Sequence, residues 1–262
     1  MLNIYKNACS DLQATFKLRR VWIALASEDI SDAHKRTTLG PIWLLLNYLA
    51  FVGAFAFVVL STKNDPIFIS YMAIGLLVWF FITDVITNAT NLFTKEESFI
   101  KGTPLPLSLY VMRLFMQACI RSFYSSIGCV AILLIFGVSI NWGWLLGLLS
   151  IILILIISPA VITVFAFIGV FFPDSKYLVH NAMRVGMFLT PIFWTYEGSG
   201  GIRHLFYAWS PFTYFLDTVR TPVIYSYIPL NSLMICCTIG AALWIIAIYM
   251  LGKFKKEVVF LL

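Results

Sequence analysis

Charge is scarce in this sequence. Only 11% of its 262 residues are Asp, Glu, Lys or Arg, while 61% are hydrophobic; a soluble domain carries roughly 25% charged residues. A chain of this length has no core large enough to hide so much apolar surface, so a bilayer is the solvent that fits. The net charge of +6 does not indicate nucleic acid, because the basic residues are scattered between apolar runs and form no single patch. Chemical signatures are missing as well. No Lys is followed by Ser or Thr, which excludes the GK[ST] end of a phosphate-binding loop and a nucleotide site of that kind. His34, His180 and His204 lie in three segments without HExxH or other ligand spacing, which argues against a metal site, and no GxSxG elbow occurs. The five cysteines (Cys9, Cys119, Cys129, Cys236, Cys237) lack metal-ligand spacing, and all but Cys9 sit in apolar runs, so they read as packing residues. Residues 1–40 hold six Lys/Arg and four acids without an early apolar stretch, and no signal peptide is expected.

What is present is long apolar runs. A helix needs about 20 apolar residues to cross the hydrocarbon, and the candidates are 41–61, 70–92, 107–137, 144–172, 179–195 and 230–251. Their apolar residues go all round, without a soluble amphipathic stripe. The expected fold is an all-α integral membrane protein with six transmembrane helices. A cytoplasmic N-terminus over 1–40 precedes the transmembrane domain of 41–262. The third span begins as a cytoplasmic helix near Leu107, and Pro159 is a candidate kink in the fourth. With the N-terminus inside, fourteen of the 18 basic residues fall on the cytoplasmic side: six before Gly40, then Lys95, Lys101, Arg113, Lys176, Arg184, Lys253, Lys255 and Lys256. Only Lys63, Arg203 and Arg220 fall outside, and Arg121 lies within a span. The positive-inside rule therefore places both chain ends in the cytoplasm.

Three segments are unlike ordinary loops. Residues 15–37 place Trp22, Ala26, Ile30 and Ala33 at helical spacing opposite a polar face that includes Arg19, Arg20, Glu28 and Asp32, with Asp32 in reach of Lys35 or Arg36. Such a helix lies flat at the membrane interface, as a simple anchor or as a docking surface for a cytoplasmic partner. Between spans two and three, Lys95, Glu96, Glu97 and Lys101 surround Phe99 and Ile100, and Gly102, Pro104 and Pro106 end any helix. This is either a solvated connector or a second docking element. After a flexible Glu197–Gly201 stretch, residues 196–229 are strongly aromatic and divided by Pro211 and Pro222 into pieces too short to span. They read as two short re-entrant external helices, forming an aromatic belt or the lid of a pore. Asp84 and Arg121 are charges inside predicted spans. Each costs roughly 3 kcal/mol or more there, so they either pair with each other or Arg121 snorkels to the inner interface.

The order of several short motifs resembles the type-2 ABC exporter permeases, the polysaccharide and O-antigen exporters in particular. Lys35-Arg36-Thr-Thr-Leu-Gly-Pro41 and Trp43, running into the first span, are similar to that family's Tyr-Arg-x-Ser/Thr-x-Leu-Gly-x-x-Trp segment. Trp79-Phe80, Asn88, Asn91 and a charged loop closing on Pro106 continue the likeness, followed by Thr190-Pro191-Ile192-Phe193-Trp194, Ser210-Pro211-Phe212 and Arg220. Ser210 departs from the usual Asn, His34 stands near the usual Tyr, and Asn47-Tyr48 occupies a place where Pro is common. The resemblance implies a homodimer in the bacterial inner membrane that exports a lipid-linked polysaccharide, most plausibly O-antigen, with teichoic acid, capsule, lipid and drug exporters as relatives. It implies no catalysis and no metal on this chain. ATP and Mg would be bound by two copies of a separate P-loop ATPase docked on Arg19, Arg20, Glu28, Asp29, Asp32, Lys95, Glu96, Glu97 and Lys101. Trp43, Trp79, Trp194, Tyr196, Trp209, Phe212 and Arg220 would then line or gate the path. A membrane-embedded glycan-lipid enzyme should cluster acids and histidines near the membrane surface, and here they are scattered. A secondary transporter should show inverted repeats, and none is found.

Overall fold

The computed structural model describes residues 2–62, 65–103, 105–195 and 201–261. Among them the regular structure is helical: α1 (Leu2–Lys17), α2 (Arg19–His34), α3 (Ile42–Thr62), α4 (Pro66–Ala89), α5 (Leu92–Lys95), α6 (Glu97–Gly102), α7 (Leu107–Ile135), α8 (Trp142–Phe171), α9 (Ser175–Leu189), α10 (Ile202–Trp209), α11 (Pro211–Tyr225) and α12 (Leu230–Leu261). Five of these, α3, α4, α7, α8 and α12, are long and apolar enough to cross a membrane. Helix starts follow local chemistry. The Asp65 carboxylate accepts from the backbone N–H groups of Ile67 (3.0 Å) and Phe68 (3.3 Å), and Pro66 occupies the first turn, where a missing N–H costs nothing. Asn141 does the same for α8 through Gly143 N at 2.9 Å. Helix α7 has no cap from its own preceding residue; Asp11 of α1 supplies it, accepting from Ser108 N at 2.9 Å and from the Ser108 hydroxyl.

Helices α4 and α8 are central, with 61% and 56% of their spanning windows buried, against 17% for α3 and α12, which leave apolar faces outward. Polar glue joins the helices where lipid supplies no hydrophobic drive. Tyr48 of α3 donates to Ala73 O at 2.8 Å, and Trp244 of α12 donates to Ile156 O at 3.1 Å. Gly143 and Gly147, four residues apart on α8, let α11 come into backbone contact. A Cβ at Gly143 would stand 1.8 Å from Pro222 O, and one at Gly147 would stand 2.5 Å from Val223. Gly169 meets Thr90 O in the same way, also at 1.8 Å.

The predicted span 179–195 differs from what forms. Helix α9 is 15 residues, about 22 Å, short of the roughly 30 Å hydrocarbon thickness. Pro191 holds Thr190 in an extended conformation (ψ 144°) and stops the helix there. The non-helical stretch 190–195 then continues beside α4: Gly186 faces Trp79, Tyr71 OH donates to Pro191 O at 3.2 Å, and Ile192 lies against Gly75. Helices α8 and α12 run parallel, since Gly240 meets Ile157 and Phe254 meets Phe171 (ring centroids 5.2 Å apart). The chain between them therefore returns to the far end of the bundle. Pro159 sits inside α8, which continues unbroken around it.

The N-terminal region holds two helices where the sequence pointed to one. Trp22, Ala26 and Ile30 are buried because α2 lies along α7, so protein covers the apolar stripe. Ala33 falls outside that contact and is exposed. Helix α1 packs on α12 through buried Ala8, Asp11 and Thr15.

Candidate functional site

Three polar constellations break the apolar bundle. The first is at the end carrying α1, α2, α5, α6 and the start of α7. Arg113, two turns into α7, forks onto Asp29 of α2 with Nε–Oδ2 and Nη2–Oδ1 both 2.7 Å. Its Nη1 reaches Glu96 Oε2 at 2.9 Å, and Gln117 donates to the same Asp29 carboxylate. Burial pushes the Asp29 pKa up, but the hydrogen bonds and charge of Arg113, with Gln117 and Lys95, outweigh it and hold the carboxyl below its ordinary value. Arg113 thus ties α2, the turn between α5 and α6, and α7 into one unit. Of the nine residues expected to form a docking face, Asp29 and Glu96 turn inward to this hub. Arg19, Arg20, Glu28, Asp32, Lys95 and Lys101 are exposed, and Glu97 is half-buried. Lys101 pairs with Glu97 at 2.7 Å and Lys35 with Asp32 at 3.4 Å, both at the surface. Ile100 is buried beneath this face while Phe99 remains exposed.

The second constellation joins the two intramembrane charges. Arg121 Nε donates to Asp84 Oδ2 at 2.8 Å, and Asn88 Nδ2 donates to Asp84 Oδ1 at 2.7 Å. The Arg121 Nη2 is buried without a hydrogen-bond partner. The pair borders a cleft of about 380 Å³ between α3, α4 and α7. Arg121 also borders a smaller cavity of about 160 Å³ toward the basic end, shared with Asn88, Asn91, Lys95 and Gln117.

The third lies at the opposite end. Arg220 of α11 is 1% exposed; its Nη1 donates to Pro191 O at 2.9 Å, its guanidinium lies 3.7 Å over the Tyr71 ring, and Asp217 stands 3.9 Å away. At Gly75 a Cβ would come within 2.7 Å of Arg220 Nη2, so a larger residue there would push the guanidinium from its place. Tyr207 of α10 donates to Asp217 Oδ2 at 2.7 Å, and Tyr214 donates to Ala208 O at 2.8 Å, closing α10 and α11 into a hairpin. Phe212 meets the buried Trp79 edge-on with ring centroids 5.3 Å apart. The remaining aromatic candidates are dispersed. Trp43 is exposed, Trp194 donates to Phe188 O at 3.2 Å, and Trp209 is 81% exposed. Tyr196 and residues 197–200 of the glycine-rich stretch lie outside the described residues.

Sequence reasoning missed Arg113 as a hub, Tyr71 and Asp217 as partners of Arg220, and Gly143/Gly147. The glycines had a readable signal, the small-xxx-small spacing of close helix packing; the others are brought together only by the fold. Among the described residues, no three His, Cys, Asp or Glu side chains come together as a metal site.

No protein-family model matches the chain. Over 174 residues it is 24% identical to the O-antigen export system permease protein RfbA of Klebsiella pneumoniae, covering 65% of this chain and 67% of that one. Over 185 residues it is 26% identical to the O-antigen export system permease protein RfbA of Myxococcus xanthus, covering 68% and 69%. The chain is thus similar over about two thirds of its length to two permeases of O-antigen export systems. Both names describe permease subunits of export systems, a transporter likeness and not an enzyme one. The five long apolar helices fit that likeness.

Proposed function

We propose that two copies of this chain form the pore of an exporter that carries a lipid-linked polysaccharide, an O-antigen, across the bacterial inner membrane. Two copies of a separate P-loop ATPase that binds ATP and Mg drive it from the cytoplasm. The observation that carries the reading is the match to two O-antigen export permeases over two thirds of the chain. The geometry supports it at three levels. The fourteen-to-three bias of Lys and Arg puts the end that carries the Arg113 hub in the cytoplasm, where an ATPase can reach it. There the exposed charges of α2 and of α5–α6 surround a hub through which a push on either element reaches α7. At the far end α11, too short to cross but packed among α4, α8 and α12 with α10 folded against it, sits where a gate is needed. The return of residues 172–229 to that end makes the sixth crossing, with both termini inside.

Deleting the gene in its host should remove long glycan chains from the cell surface and leave completed lipid-linked glycan on the cytoplasmic leaflet. Silver-stained glycolipid profiles and surface labelling read both, and plasmid-borne protein should restore export. Unchanged surface glycan in the deletion strain would overturn the proposal. Native mass spectrometry of the detergent-extracted assembly should give two permeases and two ATPases.

A further inference from the structure

The cleft between α3, α4 and α7 is where aromatic surface and balanced charge meet. Its volume, about 380 Å³, falls at the lower end of the roughly 300–1,000 Å³ of small-ligand sites. On one side Phe51 and Phe80 stand 5.2 Å apart at 73°, an aromatic corner. On the other side Asp84 and Arg121 are joined at 2.8 Å, with Ser122 and Ser125 beside them. We propose that this cleft is a subsite for one neutral sugar ring of the exported glycan, on the cytoplasmic half of the path. This rests on the export reading given above and names what it leaves open, the place where the chain grips its cargo.

The chemistry selects the ligand class. A sugar ring has an apolar C–H face and an equator of hydroxyls, each of which both donates and accepts. Phe51 and Phe80 offer electron-rich faces to the first. For the second, the Asp84 carboxylate has lone pairs left after accepting from Arg121 and Asn88. Arg121 borders the cleft and has guanidinium donors beyond the Nε that holds Asp84. Ser125 donates its hydroxyl to Arg121 O at 3.3 Å and keeps its lone pairs for a ligand O–H. Because the two charges cancel, a phosphate placed against Arg121 would also face the Asp84 carboxylate, an unfavourable like-charge contact. A lipid tail would bury the same polar groups without partners.

The test uses the permease–ATPase complex in lipid nanodiscs and two photoreactive probes of equal chain length, an alkyl glucoside and an alkyl phosphate, each with its diazirine at the headgroup. Labelled peptides are mapped by mass spectrometry. The glucoside should label the segments around Phe51, Phe80–Asp84 and Ser122–Ser125, about fivefold above the phosphate, and excess maltose should suppress it. Ser125→Trp, which fills the cleft while leaving the ion pair intact, should abolish the labelling in assembled complex. Phe51→Leu, which keeps the bulk and removes a ring, should lower it about threefold. Equal labelling by the phosphate, or labelling indifferent to both substitutions, would overturn the proposal. If the Ser125→Trp strain still displays surface glycan and the labelled peptides lie elsewhere, the subsite is wrong and the exporter reading stands. If the deletion strain keeps its surface glycan, the exporter reading fails and takes the subsite with it.

Discussion

Arg121 and Arg220 show two ways of keeping a guanidinium among apolar helices. Arg121 is matched by a carboxylate on a neighbouring helix, whereas Arg220 leans on a ring and a backbone carbonyl, with Asp217 only at 3.9 Å. The Asp84–Arg121 side chains are each about a quarter exposed, so removing one partner should cost about 3 kcal/mol, the low end for a broken buried pair. Asp84→Asn and Arg121→Gln should each lower the unfolding midpoint in micelles, and the double variant should lose less than the sum of the two. Strict additivity would show that the pair is not coupled. Glycine makes a second prediction at this scale. Gly143→Ala must displace the backbone of Pro222, which has no flexible end to yield, so it should cost about 1–3 kcal/mol by overpacking. Gly53→Ala, with nothing within 4 Å of the new carbon, is the neutral control in the same denaturation experiment.

Helix ends and packing faces were legible to different degrees. The five long helices match the predicted spans to within a few residues at most ends, because continuous apolarity has one solution in a bilayer. Capping and proline chemistry fix their limits: Pro66 starts α4 and Pro211 starts α11. The fifth span was overextended because its apolar run passes through Pro191, and composition does not weigh one residue's backbone restriction against four apolar neighbours. Helix α1 was unread since its buried face, Ala8, Asp11 and Thr15, is nearly polar and makes sense only once α12 is beside it. The Asp84–Arg121 contact could be anticipated from the need to neutralise charge in lipid, but Arg113 could not, because surface acids around it gave no hint of which would turn inward. The Arg113 hub also predicts a pH dependence. Asp29 titrates below its ordinary 3.8 when folded, so its contribution is fully present above that value and is lost as pH falls through the lower folded-state pKa. Protection of the α2 amides, taken relative to each amide's intrinsic exchange rate, should fall as pH drops below 3.8, and Asp29→Asn should leave it low throughout. Indifference of α2 to both would mean that Trp22, Ala26 and Ile30 alone hold it.

On the scale of the molecule, the end that carries the Arg113 hub separates into residues that hold its helices together and residues that stay at the surface. Glu96 belongs to the hub and Glu97 to the surface. Glu97→Lys should therefore weaken capture of the ATPase in pull-down while leaving the permease's melting unchanged, whereas Glu96→Lys should destabilise the permease itself. If Glu97→Lys leaves capture intact, the loop is only a connector. One earlier feature bears on how such a chain is made. The Asp11 side chain, fully shielded from solvent, caps α7 and pairs with Lys255 of α12, so α1 is fully seated only when α12, far along the chain, is in place. Until α12 is in place, Asp11 has the Ser108 hydroxyl and amide as partners but no counter-cation, and α1 has only its smaller contact with α7. Without the Lys255 ammonium the Asp11 carboxylate would be a shielded charge lacking a counter-cation, so α1 should sit more loosely and become a point of protease attack. Lys255→Ala should accordingly shorten the protein's half-life in pulse–chase labelling and open α1 to limited proteolysis, with the inserted spans unaffected.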